Sequence, residues 1–190
     1  MPSNQLLAEF ALLTGAEFEP VPCAWAEIEL AAGLGFPDEY KAYVDTFPPG
    51  VMRGSLLVYH PRLKGGTQAF VEKWLVANAE FLKSHAKSRA TRPEPPLEFP
   101  YDFYPAPGGL LPWADSEGYA FLCWLTSHQD PNVWPVVLCN VDLGYEVVGG
   151  STLTALMRII RLEVGEFVAP DIRTEPIAFE KLSSLEIESD

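Results

Sequence analysis

Basic residues are scarce in this sequence. Only 13 lysines and arginines stand against 26 aspartates and glutamates, which gives the 190-residue chain a formal net charge of −13. A general nucleic-acid binder gains affinity from lysines and arginines that displace counterions from phosphates, so the composition argues against that class. A strong negative field instead favours encounter with a basic protein partner. The competing interpretation is that the acidity serves solubility alone.

Cysteine and histidine are also few, with three residues of each. No C-x-x-C pair occurs and the histidines lack metal-ligand spacing, so the sequence predicts no metal site. The cysteines lie among apolar neighbours, which is typical of free thiols in a reducing cytosol. His128 precedes Asp130 closely enough to suggest a catalytic dyad, but an exposed loop histidine is the favoured interpretation because no nucleophile accompanies it.

Catalytic, cofactor and targeting motifs are missing as well. The sequence has no Walker loop, dinucleotide fingerprint, G-x-S-x-G or H-E-x-x-H motif, so we expect a protein that is not an enzyme and has no cofactor. It begins without a signal-peptide pattern, and no segment approaches the roughly 20 apolar residues of a membrane span. These features predict a cytoplasmic protein.

The length suits a single domain over residues 1–190, and the hydrophobic periods predict a mixed α and β fold. The predicted helices lie within residues 4–15, 22–33, 34–50, 67–88 and 149–163. The helix at 67–88 is expected to bury Phe70, Trp74, Ala77 and Phe81, which follow a 3.6-residue period. The predicted strands are 54–60, 118–125, 134–141, 144–148 and an edge strand within 175–182, and a stiff proline-rich connector is expected at 91–100. The polar turn between 118–125 and 134–141 predicts that these two strands form an antiparallel hairpin with a long loop.

Charge is unevenly distributed along the chain. Residues 53–92 contain eight basic and two acidic residues, whereas the remainder is strongly acidic. The basic stretch falls mainly on the predicted helix 67–88 and its flanking loops. The sequence therefore predicts a dipolar molecule.

Three of the five tryptophans lie within residues 110–140. Trp124 occurs inside an all-apolar strand, where core packing is expected. Trp113 and Trp134 each adjoin a proline at a strand entrance, where partial exposure is expected. An aromatic ligand pocket is the alternative to a packed core, and a filled core beneath the hairpin would argue against it.

Several motifs, in this order, resemble the SUKH superfamily, the group that contains the Smi/Knr-type fungal cell-wall regulators. They are "WAEIELAAGLGFPDEYKAYVDTF", "GSLLVYHP", "LLPWADSEGYAFLCWL", "DPNVWPVVLCN" and a final helix beginning "GGSTLTALMRII". The resemblance covers residues 23–162, and an acidic extension follows at 163–190. "FPPGVMRG" departs from the aromatic residue and glycine-rich turn of many members. The resemblance implies an α+β domain with one twisted, largely antiparallel sheet and helices packed against it.

The same resemblance implies a bacterial immunity protein that binds and neutralises a cognate toxin domain, such as a basic nuclease or deaminase, by occlusion and without catalysis. Because the toxin-contacting surface varies between members, no contact residue carries over. The alternatives are a regulatory module that binds a host protein and a small-ligand binder or enzyme that uses the tryptophan-lined hairpin. The candidate contacts are acidic loops plus the two tryptophans if they are exposed; ordinary turn chemistry is the competing interpretation of the loops. These residues are Trp113, Asp115, Glu117, His128, Asp130 and Trp134.

Overall fold

The computed structural model describes residues 3–90, 99–165 and 175–183 of the chain. Residues 91–98 of the predicted connector and residues 166–174 and 184–190 of the extension lie outside these ranges. The strands are β1 (Gly50–Met52), β2 (Leu56–Val58), β3 (Leu110–Ser116), β4 (Ala120–Leu125), β5 (Val136–Asn140), β6 (Tyr145–Val147) and β7 (Phe179–Lys181).

The helices lie close to where the sequence predicts them. They are α1 (Ser3–Thr14), α2 (Trp25–Ala32), α3 (Asp38–Thr46), α4 (Gly66–Ala69), α5 (Ala77–Ala90) and α6 (Thr152–Ile160). A π-helical segment, Phe70–Val76, joins α4 to α5 without a break, and a 3-10 turn, Pro131–Val133, precedes β5. Gly33 ends α2 in the left-handed conformation with φ of 68°, which glycine adopts without strain.

In the part of the chain that the structure describes, seven strands form one antiparallel sheet in the order β6-β5-β4-β3-β2-β1-β7. The predicted α+β single domain, with one largely antiparallel sheet and packed helices, is therefore confirmed. The predicted hairpin is also confirmed, since every residue of β5 pairs with β4. The predicted edge strand within 175–182 is β7, which pairs with β1.

Two strands were not predicted, and one is shorter than expected. The strand expected at 54–60 is reduced to β2, and β1 precedes it in a tight hairpin. β3 lies at the centre of the sheet although Pro112 stands inside it. A proline donates no ladder hydrogen bond, and here it occupies the point where the β3–β4 register shifts, between Pro112 and Ala114. The bulge explains why a proline-containing segment forms a central strand.

The predicted buried face of the long helix is wrong beyond Trp74, which is half-buried against the larger core. Phe70 is buried as expected, but Leu75 and Leu82 are buried in its later turns, whereas Ala77 is exposed and Phe81 is 41% exposed. The π-helical segment is the physical reason, because its i→i+5 hydrogen bonds place more residues in each turn than an α-helix does. The apolar face consequently moves on by one residue.

The sheet is covered by helices on both faces. α1, α2, α3 and α6 pack with Trp113, Leu122 and Trp124 in the larger core, and α5 packs on the opposite face with Phe121, Cys123, Val137 and Cys139. A strand that is covered on both faces has a continuous run of apolar residues in its sequence. β4 and β5 show this pattern. Within the described ranges, no helix is long and apolar enough to span a bilayer.

Candidate protein-binding surface

The two candidate tryptophans are buried. Trp113 is fully buried in β3, and Trp134 is only 8% exposed. The Trp134 Nε1–H donates a hydrogen bond to the carbonyl oxygen of His128 at 2.6 Å, which holds the β4–β5 loop against the core. The expected partial exposure at the strand entrances is therefore wrong for both residues. Trp134 thus supports the loop, and neither tryptophan offers a contact surface.

The aromatic hairpin is a filled core. The rings of Trp113 and Trp124 stack with centroids 5.3 Å apart, and Tyr40 meets Trp124 edge to face at 5.0 Å. The Trp124 Nε1–H donates to Thr152 Oγ1 at 3.1 Å, which ties β4 to α6. The hydrophobic walls that would line an aromatic pocket are thus in contact with each other, and this argues against the small-ligand interpretation.

Asp115 and Glu117 lie at the β3–β4 turn. Asp115 Oδ1 accepts a hydrogen bond from the backbone N–H of Gly118 at 2.8 Å. Partial burial raises the pKa of Asp115, and hydrogen bonds from Gly118 and Tyr59 partly offset that rise. Glu117 is exposed and has a positive φ of 52° at the tip of the turn. Asp115 therefore has the ordinary role of a carboxylate in a tight turn, which is to accept a backbone hydrogen bond.

His128 and Asp130 are exposed, as expected, but they lie at the opposite end of the sheet from Glu117. The six residues of β4 separate the two turns, and a strand rises about 3.4 Å per residue, so the separation is roughly 20 Å. The structure therefore does not bring the four polar candidates together. They belong to two distinct surfaces.

The loop that carries His128 and Asp130 is fastened to the start of α3. Asp130 Oδ1 accepts from the backbone N–H of Asn132 at 2.9 Å, and the backbone N–H of Asp130 donates to His128 Nδ1 at 3.0 Å. Asn132 bridges to Asp38: its Oδ1 accepts from the Asp38 N–H at 2.7 Å, and its Nδ2 donates to Asp38 Oδ2 at 3.2 Å. These bonds fix the direction of both carboxylates.

Glu29 and Lys41 extend this surface along α2 and α3. Lys41 Nζ lies 3.2 Å from Glu29 Oε1 and 3.1 Å from Asp38 Oδ1. Burial tends to lower the pKa of Lys41, but its hydrogen bonds to Asp38 and Glu29 outweigh that effect and raise it. One lysine thus faces several carboxylates, and the surface remains negative. We call it the acidic loop surface, formed by Glu29, Asp38, Lys41, His128, Asp130 and Asn132.

An apolar side chain accompanies these charges. Val133 follows Asn132 in the 3-10 turn and is 56% exposed. Protein interfaces commonly place an apolar contact inside a polar rim. Sequence reasoning found His128 and Asp130 but missed Glu29, Asp38 and Asn132. The available signal was the "DPN" turn, whose aspartate typically accepts from the backbone two residues on.

No group of three or more histidine, cysteine or carboxylate side chains within the described ranges could hold a metal ion. Comparison of the chain with protein-family models, curated proteins and solved structures found no match.

Proposed function

We propose that this protein is an immunity protein that binds a basic toxin domain and neutralises it by covering its active surface. The observation that carries the proposal is the acidic loop surface, where hydrogen bonds hold Asp38 and Asp130 in fixed directions beside the exposed Val133. Side chains that are ordered before binding lose less conformational entropy on association. The net charge of −13 and the resemblance to the SUKH superfamily point to the same kind of partner.

The proposal places the protein in the cytoplasm of the cell that it protects. Cys123 and Cys139 are buried as free thiols, and Cys23 is a half-buried one. Such thiols suit a reducing compartment. A toxin of the nuclease or deaminase type carries basic residues for its nucleic-acid substrate, which makes its active surface complementary to an acidic inhibitor.

Affinity capture of the tagged protein from its native cells, with mass spectrometry of the eluate, tests the proposal. We expect a stoichiometric basic toxin fragment whose activity is inhibited by the purified protein. The double variant Asp38→Asn, Asp130→Asn should lose most of the captured toxin. Glu117→Gln with Asp142→Asn is the matched control, because it removes the same charge from the opposite end of β4.

Three outcomes would contradict the proposal. A captured host protein that is not a toxin would favour the regulatory module, the alternative that uses the same surface. Equal toxin capture by both double variants would show that the toxin does not bind at the acidic loop surface. Capture of the toxin by the wild type without inhibition of its activity would exclude occlusion of the active surface.

A further inference from the structure

Two of the three cysteines lie against each other inside the sheet. The Sγ atoms of Cys123 in β4 and Cys139 in β5 are 3.7 Å apart and share a hydrogen bond. The two residues occupy diagonal positions of the β4–β5 ladder, because Cys123 pairs with Val137 and Cys139 pairs with Phe121. A disulfide needs its sulfur atoms about 2.05 Å apart. Its formation here therefore requires a small movement of two side chains that already meet.

Cys139 lies nearer to the edge of the sheet than Cys123 does. β5 is next to the edge strand β6, whereas β4 is one strand further inside. Tyr145 of β6 pairs with Cys139, and residues directly opposite each other in a ladder have their side chains on the same face. The Tyr145 ring, which is 38% exposed, is therefore a cover beside the Cys139 thiol.

The cover belongs to a part of the sheet that opens more easily than the centre. β6 has three residues, and its two outer residues, Tyr145 and Val147, are exposed. Elements with few buried apolar contacts open at a lower free energy than the core strands do. Opening of β6 would therefore uncover Cys139 while β3, β4 and β5 stay paired.

The two thiols differ in how they can react. The thiolate, and not the thiol, attacks a disulfide. Burial and the neighbouring Cys139 raise the pKa of Cys123 well above its usual range, which disfavours Cys123 as the first nucleophile. Burial and the Asp45 carboxylate raise the pKa of Cys23 to about 11, which makes that more distant thiol a poor nucleophile as well. The position of Cys139 beside the edge strand makes it the first thiol to meet an oxidant.

We propose that Cys123 and Cys139 form a reversible disulfide, with a small disulfide such as oxidised glutathione as the oxidant. After β6 opens, the Cys139 thiol loses its proton to solvent, and its sulfur attacks one sulfur of the oxidant and releases a glutathione thiolate. The Cys123 thiol then loses its proton, and its sulfur attacks the Cys139 sulfur of the mixed disulfide and releases the second thiolate. The protein gives up two electrons and two protons, and the oxidant is reduced to two thiols.

The new bond would join the two strands that carry the acidic loop surface. The cysteines are 16 positions apart in sequence, and the chain between them contains His128, Asp130 and Asn132. A disulfide stabilises mainly by constraining the unfolded chain, so the oxidised hairpin should resist unfolding more than the reduced one. The disulfide goes beyond the proposed toxin inhibition and does not depend on it.

Mass spectrometry of the full-length protein after incubation with oxidised glutathione tests the proposal. We expect the wild type to lose two hydrogens and to contain a crosslink between Cys123 and Cys139 that dithiothreitol reverses. Cys123→Ser should keep a glutathione adduct on Cys139, because no second thiol displaces it. Cys139→Ser should leave Cys123 unmodified. Cys23→Ser is the matched control and should form the crosslink as the wild type does.

Removal of the cover tests the route to Cys139. Tyr145→Ala should speed formation of the crosslink at least about threefold, because the reaction proceeds through the opened edge. Phe18→Ala is the matched control, since Phe18 is a 56% exposed aromatic residue that packs on Phe47 in the larger core. It should leave the rate unchanged. The urea midpoint of the wild type should rise on oxidation and return on reduction.

Four results would overturn the proposal. One is a wild type that forms the crosslink only after denaturation in urea. An adduct on Cys123 in Cys139→Ser would contradict the order of attack, and equal rates in Tyr145→Ala and Phe18→Ala would exclude β6 as the route. A lower urea midpoint in the oxidised protein would contradict the stabilising role. If a buried serine prevents folding, as judged by circular dichroism, the alanine variants of the same two cysteines take its place.

Discussion

The indole rings of Trp113 and Trp124 lie face to face, with centroids 5.3 Å apart and planes 15° apart. Trp113 belongs to β3 and Trp124 to β4, so the stack joins the two central strands on the face covered by α3 and α6. Stacked aromatic pairs contribute about 0.5–1.5 kcal/mol beyond the area they bury. The tryptophans therefore stabilise the scaffold that carries the candidate surfaces.

Truncation of Trp124 should test this role. The variant Trp124→Ala leaves a cavity between β4, α3 and α6 and removes the hydrogen bond to Thr152. We expect the free energy of unfolding to fall by about 3–5 kcal/mol, measured by urea denaturation. Trp124→Phe keeps most of the ring volume and should lose less. Full stability of Trp124→Ala would contradict the assignment of this residue to the core.

The altered face of the long helix gives a second prediction. Leu82 is fully buried against Phe121 and Cys123, whereas Phe81 is 41% exposed. Leu82→Ala should lower the free energy of unfolding by about 2–5 kcal/mol. Phe81→Ala should cost less than about 1 kcal/mol, because a half-exposed side chain loses little on truncation. The reverse order would mean that an uninterrupted α-helical period sets the packing.

Local periodicity was sufficient to predict much of the fold. α6 lies within the predicted helix at 149–163, and Leu153, Leu156, Met157 and Ile160 are buried at helical spacing. β4 and β5 are apolar runs bounded by turn residues, and they form the predicted hairpin. Such elements are decided by burial over a few consecutive residues, which a single sequence records directly.

The other features depend on distant contacts. The hydrogen bond between Asp38 and Asn132 joins residues that are 94 positions apart in sequence. The sequence around either residue therefore does not indicate its partner. The central position of β3 depends on a bulge that accommodates Pro112, and the π-helical segment has no distinct sequence period. Residues 115–117 and 128–130 both have the sequence of an acidic turn. They lie on different surfaces because β4 runs between them and places them at opposite ends of the sheet.

A buried histidine should make stability depend on pH. His60 Nε2 lies 3.1 Å from Val44 O at the end of α3. Burial, with a smaller contribution from the nearby Arg62 guanidinium, lowers the pKa of His60 to about 3, against about 6.5 in the unfolded chain. Between these values the unfolded state binds the proton and the native state does not. The contribution of His60 to the free energy of unfolding is therefore complete above pH 6.5 and is lost on acidification. At pH 3 the loss is on the order of 4 kcal/mol.

Urea denaturation across this pH range measures the effect against His60→Gln, which cannot titrate. Subtracting the variant's slope from the wild-type slope removes the contribution of the carboxylates. The exposed His128→Gln is the matched histidine replacement outside the core. Direct titration of the His60 ring by NMR gives an independent value, and a midpoint near 6.5 in the native protein would refute the prediction.

Salt should slow association of the acidic loop surface with the basic partner that we propose. Raising ionic strength from about 0.01 to about 1 M shortens the Debye length from about 30 to about 3 Å. Because surface charges act mainly on encounter, we expect the association rate constant to fall at least about tenfold, with a smaller change in dissociation. Asp38→Asn with Asp130→Asn should flatten this dependence more than Glu117→Gln with Asp142→Asn, as measured by stopped-flow mixing. Equal flattening would show that the total charge of −13, and not the acidic loop surface, steers the partner. An association rate constant that does not change with salt would show that electrostatic steering has no part in binding.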